Sequence, residues 1–244
     1  MTDRTTLLVA QSDITCPPAR VGRWLQERDL DLHVVRSFEG ADLPDTLDGF
    51  DGLMILGGAM GSMDDHVSPW LPHLRDLTKQ AVDSDLPVLG LCLGLQILAS
   101  ACGGEVSLGG VPEFGLGTIE LTDAGVGDPV TGVLPPTVEI PQFHRDGVSV
   151  TPPGAVVLAS SPLYEVQVMR MGRYTYATQG HPEIDGEILR SWVGFEEADI
   201  LEGSGADPDA SVAELTAAED RLERHWRPMF HAWADLVRER ASTL

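Results

Sequence analysis

Short apolar runs alternate with amphipathic stretches through the first hundred residues of the chain. Four apolar runs have the length of buried strands, and they lie at residues 5–11, 32–36, 50–56 and 87–91. Apolar residues at helical spacing lie at residues 17–29, 68–83 and 93–102. Ser68 and Pro69 are suited to cap and begin the second of these helices. The alternation predicts a parallel sheet with helices on both faces.

The pattern changes after residue 105, where Gly and Pro turns separate shorter apolar segments. These segments predict strands at residues 117–122, 138–143, 156–159, 165–171 and 174–178. Their close spacing indicates an antiparallel extension of the sheet.

The last fifty residues combine an acidic segment with a helical pattern. Residues 198–210 are predicted to form an acidic loop, and Pro228 is expected to kink or split the helix after it. The apolar positions of that helix are Val212, Leu215, Leu222, Trp226, Phe230, Trp233 and Val237. Such a stripe favours core packing or a subunit contact in a homo-oligomer. Since no linker or repeat is present, we predict one domain over residues 1–244, with the helical segment of about 211–240 packed on it.

A cysteine lies where the fourth apolar run gives way to a helix, in Gly90-Leu91-Cys92-Leu93-Gly94. Glycines on both sides permit a sharp strand-to-helix turn, the cysteine counterpart of a serine nucleophile elbow. The helix N-terminus there favours a thiolate. The alternative interpretation is a buried structural cysteine in a tight turn.

Two further motifs lie at the ends of predicted strands. His181 and Glu183 in Gln179-Gly-His-Pro-Glu183 point to the same side of an extended chain, so the carboxylate can orient the imidazole. Behind a cysteine elbow they are candidates for a Cys–His–Glu triad; alone, they are typical of a surface histidine beside a turn. The glycines after residue 56, Gly57 and Gly58, form either a simple turn or a site whose N–H groups bind an oxyanion.

Composition limits the possible partners. The chain has 244 residues, 43% hydrophobic, which suits one large α/β domain. A net charge of −22 disfavours nucleic acid and anionic membranes, which require a basic surface. No apolar run predicts a membrane span or a signal peptide. Three cysteines suit the reducing cytoplasm, and without a zinc-type spacing no metal or cofactor is predicted.

Together these motifs resemble the class I (triad) glutamine amidotransferases. The matching residues are Gly57-Gly58, the elbow with Gln96 four residues after Cys92, and Gln179-Gly-His-Pro-Glu183. Other stretches are similar to the stand-alone, GMP-synthase-like members, namely Gly57 through Asp65 with Pro69-Trp70-Leu71, Glu113-Phe-Gly-Leu, and Phe143-His-Arg-Asp146. The resemblance covers about residues 5–195. It implies a flavodoxin-like three-layer α/β sandwich, with a mostly parallel central sheet and an antiparallel extension.

The resemblance also implies roles for individual residues. Cys92 would attack a γ-carboxamide to give a γ-glutamyl thioester and ammonia, with His181 as base and then acid and Glu183 orienting it. The backbone N–H groups of Gly58 and Leu93 would form the oxyanion hole. The substrate-binding positions would be Gln96, His144, Arg145 and Asp146.

The chain departs from the family pattern at two positions near the predicted pocket. Leu95 and Gly180 stand where many members have His and Phe. The related DJ-1/PfpI-like elbows usually place His directly after the cysteine, where this chain has Leu93. The motifs therefore favour a glutamine amidotransferase over that alternative.

Three functional classes are compatible with the motifs. The first is a cytoplasmic glutaminase that supplies ammonia to a separate synthase or ligase subunit. The second is a hydrolase or transferase that acts on γ-glutamyl amides or peptides. The third, a non-catalytic regulatory protein, is disfavoured by the complete set of triad residues.

Overall fold

The computed structural model describes residues 5–194 and 198–243. Within these residues the chain forms one nine-stranded sheet with the order β2-β1-β3-β4-β9-β8-β7-β5-β6. The strands are β1 Thr5–Gln11, β2 Leu30–Arg36, β3 Gly52–Ile55, β4 Val88–Leu91, β5 Glu105–Leu121, β6 Thr137–Val150, β7 Ala155–Ser160, β8 Val168–Met171 and β9 Thr175–Thr178. The helices are α1 Ala19–Gln26, α2 Leu71–Asp83, α3 Leu93–Ala101, α4 Asp123–Val126, α5 Gly186–Gly194, α6 Ala198–Ser204 and α7 Pro208–Ala241.

The parallel half of the sheet contains β2, β1, β3, β4 and β9, and each pairs in parallel with its neighbours in this half. Every residue of β3, β4 and β9 is buried, as expected for parallel strands covered on both faces. The four apolar runs of the first hundred residues thus form the four predicted strands. The predicted fold class, a flavodoxin-like sandwich with an antiparallel extension, is confirmed.

The antiparallel half differs from the prediction in strand length. β5 has 17 residues and β6 has 14, because they pair as one long hairpin that continues through the glycines of β5. A register shift between Leu108 and Glu113 interrupts their pairing. β8 begins at Val168, three residues later than predicted. β9 joins the two halves, since it pairs in parallel with β4 and antiparallel with β8.

Two predicted helix boundaries are wrong. α2 begins at Leu71, with Trp70 as its N-cap, and Ser68 does not cap it. Ser68 instead closes a preceding turn, in which its N–H donates to the Asp64 carbonyl at 2.9 Å. The predicted acidic loop at 198–210 is also wrong: α6 occupies its first half, and Gly205 with a φ of 66° separates it from α7.

The C-terminal helix α7 is continuous through Pro228, so the predicted split is wrong. Trp226, Met229 and Phe230 beside Pro228 are fully buried, and this packing holds the helix together where a backbone hydrogen bond is missing. The aromatic stripe is core: Trp226 Nε1 donates to the Glu139 carbonyl of β6 at 2.8 Å. Trp233 Nε1 donates to the Tyr174 carbonyl just before β9 at 2.9 Å.

α2 and α3 cover the opposite face of the sheet, where Leu74, Leu77 and Ile97 pack in one cluster with β1 and β3 side chains. The helices of the described residues include none that is long and apolar enough to cross a membrane. The single-domain assignment of residues 1–244 stays a prediction; residues 1–4, 195–197 and 244 lie outside the described residues.

Candidate active site

The predicted elbow is present between β4 and α3, with Cys92 at its apex. Cys92 has a φ of 50° and a ψ of −102°, a backbone conformation that is rare for a residue with a side chain and typical of strained functional positions. Its N–H donates to the Thr178 carbonyl at 2.8 Å, which ties the elbow to β9. A Cβ at Gly90 would lie 2.7 Å from the Gly94 backbone, and one at Gly94 would collide with the Ile55 carbonyl oxygen. The sharp turn therefore requires both glycines.

The thiol of Cys92 lies at the N-terminus of α3 and is 6% exposed. Gln179 Nε2 lies 3.6 Å from Cys92 Sγ, and His181 lines the same cleft as the thiol. The helix dipole, an amide donor and an imidazole therefore all favour negative charge on the sulfur.

His181 and Glu183 lie in the segment after β9. Their side chains are buried, and His181 Nδ1 lies 2.7 Å from Glu183 Oε1. The His181 N–H donates to the Pro141 carbonyl at 2.7 Å, which fixes the backbone at this position. Burial would lower the pKa of His181, but the negative charges of Cys92 and Glu183 raise it to about 10. A protonated His181 can stabilise negative charge that develops on the sulfur and can donate a proton to a leaving group.

Gly58 and Leu93 lie against each other beside the thiol. A Cβ on Gly58 would lie 3.0 Å from Leu93 Cδ2 and 2.6 Å from Met60 Sδ, so both side chains would have to shift to accommodate it. Within residues 5–194 and 198–243, neither the Gly58 nor the Leu93 N–H donates to a protein acceptor. Two unsatisfied N–H groups next to a nucleophile are suited to bind a developing oxyanion.

The predicted substrate-binding residues separate into two groups. Gln96, His144 and Asp146 lie together, since Gln96 Nε2 donates to the Asp146 carbonyl at 3.2 Å and His144 Nδ1 lies 3.0 Å from the same oxygen. Arg145 lies apart from them, because consecutive side chains of β6 point to opposite faces. Its Nε donates to the Gly109 carbonyl at 3.2 Å.

Glu113 is a partner of this cluster to which the sequence analysis gave no role. Glu113 Oε2 lies 3.0 Å from His144 Nε2 and 2.5 Å from Gln167 Nε2, and Ser161 Oγ donates to Oε1 at 2.7 Å. Although burial would raise the pKa of Glu113, the hydrogen bonds from His144, Ser161 and Gln167 together lower it. A partly buried carboxylate thus orients the imidazole of His144.

A cleft of about 220 Å³ opens beside the thiol. Its lining comprises Asp13, Ile14, Thr15, Cys16, Gly58, Ala59, Cys92, Phe143, His181 and Trp192. Cys16 is a second thiol in this cleft. Burial, with the neighbouring charge of Asp13, raises its pKa well above the usual value, so Cys16 stays protonated.

Three residues of the site were missed from the sequence. Glu113 and Gln179 lie in stretches that resemble the family, and those stretches were the available signal. Trp192 has no local signal, because it reaches the cleft only through the packing of α5. Within the described residues, no group of three or more His, Cys, Asp or Glu side chains is placed to hold a metal ion.

Comparisons with known proteins agree with this geometry. A glutamine amidotransferase class-I family model matches residues 20–191. A glutamine-hydrolyzing GMP synthase subunit of Thermoplasma acidophilum is 30% identical, over 72% of this chain and 86% of that protein. Gamma-glutamyl peptidase 4 of Arabidopsis thaliana is 33% identical, over 59% of this chain and 57% of the peptidase.

The crystal structure of a glutamine amidotransferase from Thermotoga maritima has the same fold. Its TM-score is 0.83 at 22% sequence identity, and the match covers 95% of this chain and 99% of that chain. The family model matches well over half of the chain. The matched residues of this chain, 20–191, include the elbow and the His181–Glu183 pair. The chain therefore belongs to the class I glutamine amidotransferase family.

Proposed function

We propose that the protein hydrolyses the γ-carboxamide of glutamine or of a related γ-glutamyl amide through a thioester on Cys92. The observation that carries this proposal is the alignment of Cys92, His181 and Glu183, with the 2.7 Å contact between the last two. The GMP synthase subunit of Thermoplasma acidophilum and gamma-glutamyl peptidase 4 of Arabidopsis thaliana are both named for hydrolysis of an amide bond. Their names support this reaction class.

In the proposed reaction, the Cys92 thiolate attacks the γ-carbonyl carbon. The carbonyl oxygen becomes an oxyanion, and the N–H groups of Gly58 and Leu93 stabilise it. His181 then gives its proton to the amide nitrogen, the C–N bond breaks, and ammonia or an amine leaves. A γ-glutamyl thioester remains on Cys92.

Water completes the cycle. Neutral His181, held in one tautomer by Glu183, takes a proton from water as the hydroxyl oxygen attacks the thioester carbon. The C–S bond breaks, glutamate leaves, and the thiolate–imidazolium pair is restored. The His181 imidazole thus acts as an acid when the thioester forms and as a base when the thioester is hydrolysed.

The amino-acid end of the substrate is proposed to bind beside Gln96. The side chain of Gln96 is 4% exposed and lies four residues, about one helical turn, after Cys92. Asp146 is half-buried next to it, and burial and the neighbouring Asp64 raise the pKa of the Asp146 carboxyl. Carboxylates in this position suit the α-ammonium group of a γ-glutamyl compound.

The relatives differ in the step after amide cleavage. A separate synthase or ligase subunit that uses the ammonia is one proposed partner, by analogy with the GMP synthase subunit. Direct hydrolysis of γ-glutamyl peptides is the second candidate, by analogy with the peptidase. The cleft beside the thiol favours the second candidate.

Labelling of the nucleophile tests the proposal. We expect 6-diazo-5-oxo-norleucine to alkylate Cys92 and to spare Cys16 and Cys102, the pKa values of which are raised by burial. Peptide mass spectrometry locates the label. Cys92→Ala should abolish amide hydrolysis, and Cys102→Ala, the same change at a cysteine outside the site, should leave it intact. Label on Cys16, or hydrolysis by Cys92→Ala, would contradict the proposal.

Loss of the base gives a second, independent measurement. General acid–base catalysis contributes roughly 10²–10⁴-fold, so His181→Ala should lower kcat by about that factor with a smaller change in KM. Unchanged kcat would assign the base to another residue.

A further inference from the structure

The cleft beside Cys92 is larger than the ammonia released from glutamine needs. Its volume is about 220 Å³, whereas the ammonia released from glutamine is about the size of a water molecule, which occupies roughly 30 Å³ in the liquid. An apolar protein cavity of about 150 Å³ is large enough to bind benzene. The cleft thus has room for a ring-sized group next to the reacting carbon.

The walls of the cleft are largely apolar and aromatic. Trp192 packs edge-on against His181, with the ring centroids 4.7 Å apart, and against Phe143 at 5.4 Å. Ile14 lines the mouth and is 70% exposed, so an apolar side chain faces solvent in the absence of a ligand. A bound apolar group would cover these surfaces and gain from their burial.

The polar side chains of Asp13, Thr15 and Trp192 in the walls are occupied by contacts within the protein. Trp192 Nε1 donates to the Thr15 carbonyl at 2.9 Å. Asp13 Oδ1 accepts from the Thr15 N–H and hydroxyl, each at 2.8 Å, and Oδ2 accepts from the Ala59 N–H at 3.4 Å. These bonds shape the loop before α1, so the cleft is better suited to an apolar group than to one that needs new hydrogen-bond donors.

The cleft and the proposed amino-acid site have different lining residues: Phe143 lines the cleft, whereas the next side chain of β6, His144, points to the opposite face of the strand. The lining of the cleft does not include Gln96, His144 or Asp146, whereas Cys92, Gly58 and His181 belong to it. A substrate with its γ-glutamyl part beside Gln96 and its carbonyl at the thiol would direct the substituent on its amide nitrogen into the cleft. Glutamine has no such substituent.

We propose that this cleft is a leaving-group site for γ-glutamyl amides whose nitrogen carries an apolar, ring-containing substituent. This inference rests on the proposed function, because it uses the same thioester chemistry. The thiolate forms the C–S bond, the C–N bond breaks, and His181 protonates the departing nitrogen to release a neutral primary amine. Water then hydrolyses the thioester and releases glutamate.

Substrates that differ in the substituent on the amide nitrogen test the cleft. The purified protein is assayed with glutamine, γ-glutamyl-ethylamide and γ-glutamyl-benzylamide, with release of ammonia or amine as the readout. We expect kcat/KM for the benzylamide to exceed that for the ethylamide at least tenfold. The Cys92→Ala protein should show the same preference in calorimetric binding, which removes any contribution of leaving-group reactivity.

A substitution in the wall connects the preference to the cleft. Ile14→Glu replaces an apolar wall with a charge and should reduce the benzylamide-to-ethylamide ratio about fivefold or more. Val133→Glu makes a comparable change at an exposed residue (49%) outside the cleft and should leave the ratio unaltered. An unaltered ratio in Ile14→Glu would overturn the assignment of the cleft.

The outcomes separate the inference from the proposed function. If the protein turns over glutamine, and its kcat/KM for the benzylamide is equal to or lower than that for the ethylamide, the inference is overturned and the proposed function is supported. Amide cleavage that persists in Cys92→Ala would overturn the proposed function and, with it, the inference. A protein that cleaves none of the three amides would also overturn both.

Discussion

The parallel and antiparallel halves of the sheet contribute different parts of the candidate site. The parallel half provides the reactive groups: Cys92 follows β4 directly, and His181 comes three residues after the end of β9. β5 and β6 of the antiparallel half provide Glu113, His144 and Asp146, which are joined by hydrogen bonds to one another and, through the Asp146 carbonyl, to Gln96. The first group is positioned mainly by backbone geometry and the second by hydrogen bonds between side chains.

This difference has a consequence for what each half can tolerate. The strained elbow at Cys92, with Gly90 and Gly94 on either side of it, leaves almost no space for an added atom. Small changes in the parallel half should therefore affect the reaction itself. A hydrogen-bonded cluster can lose one member and keep its shape, so changes in the antiparallel half should affect binding more than chemistry. Three substitutions test this distinction.

Gly94→Ala should have the largest effect. The added Cβ would collide with the Ile55 carbonyl oxygen, and overpacking of this kind costs roughly 1–3 kcal/mol of unfolding free energy. Displacement of Cys92 should also slow its alkylation on the order of 100-fold. Chemical denaturation and the alkylation rate give the two values. Gly110→Ala is the matched control, since nothing lies within 4 Å of the added Cβ. Equal behaviour of the two variants would refute the requirement for glycine at the elbow.

Glu113→Gln should have an intermediate effect, confined to binding. The substitution removes the charge that orients His144 and keeps the size of the side chain, so KM for the preferred amide should rise about tenfold with little change in kcat. Alkylation of Cys92 by iodoacetamide, which does not need the amino-acid site, should be unaffected. Glu105→Gln, an exposed carboxylate at the start of β5, provides the control. Slower alkylation in Glu113→Gln would show that the two halves are not separable.

Gln179→Leu should have the smallest effect, and it should fall on thiol reactivity. The side-chain amide donates to Cys92 Sγ at 3.6 Å, and its Oε1 has no partner in the part of the chain that the structure describes. The substitution therefore leaves no other buried group unpaired, and alkylation at pH 7 should slow about threefold, as expected for one weak hydrogen bond. A rate equal to that of the unchanged protein would show that this contact does not affect the thiol. Gln80→Leu on the exposed face of α2 should leave the rate unchanged.

The same distinction explains what could be predicted from the sequence. The elbow, the glycine turn and the His181–Glu183 pair depend on short segments, and their physical requirements are visible in a few neighbouring residues. The structure brings Cys92, His181 and Glu183 together in the predicted arrangement. Local spacing was sufficient because adjacent parallel strands end at the same edge of the sheet.

The antiparallel half could not be predicted at this level. The contact between Glu113 and His144 depends on the register of β5 against β6, which shifts between Leu108 and Glu113. One residue of slip would place these side chains on opposite faces. Likewise, Ser68 carries the usual signal of an N-cap, but a turn that begins at Asp64 uses it instead. Tertiary contacts decide both positions.

The pairing of β4 with β9 has an evolutionary consequence. Leu91 and Thr178 are register partners, so the residues that bear the nucleophile and the base are neighbours in space although most of the antiparallel half lies between them in sequence. That half is in effect a large insertion between two adjacent strands. It can exchange loops, lengthen its hairpin or acquire new recognition residues while the two strands keep their spacing. New substrates can thus evolve in one part of the chain without renewed optimisation of the reaction centre.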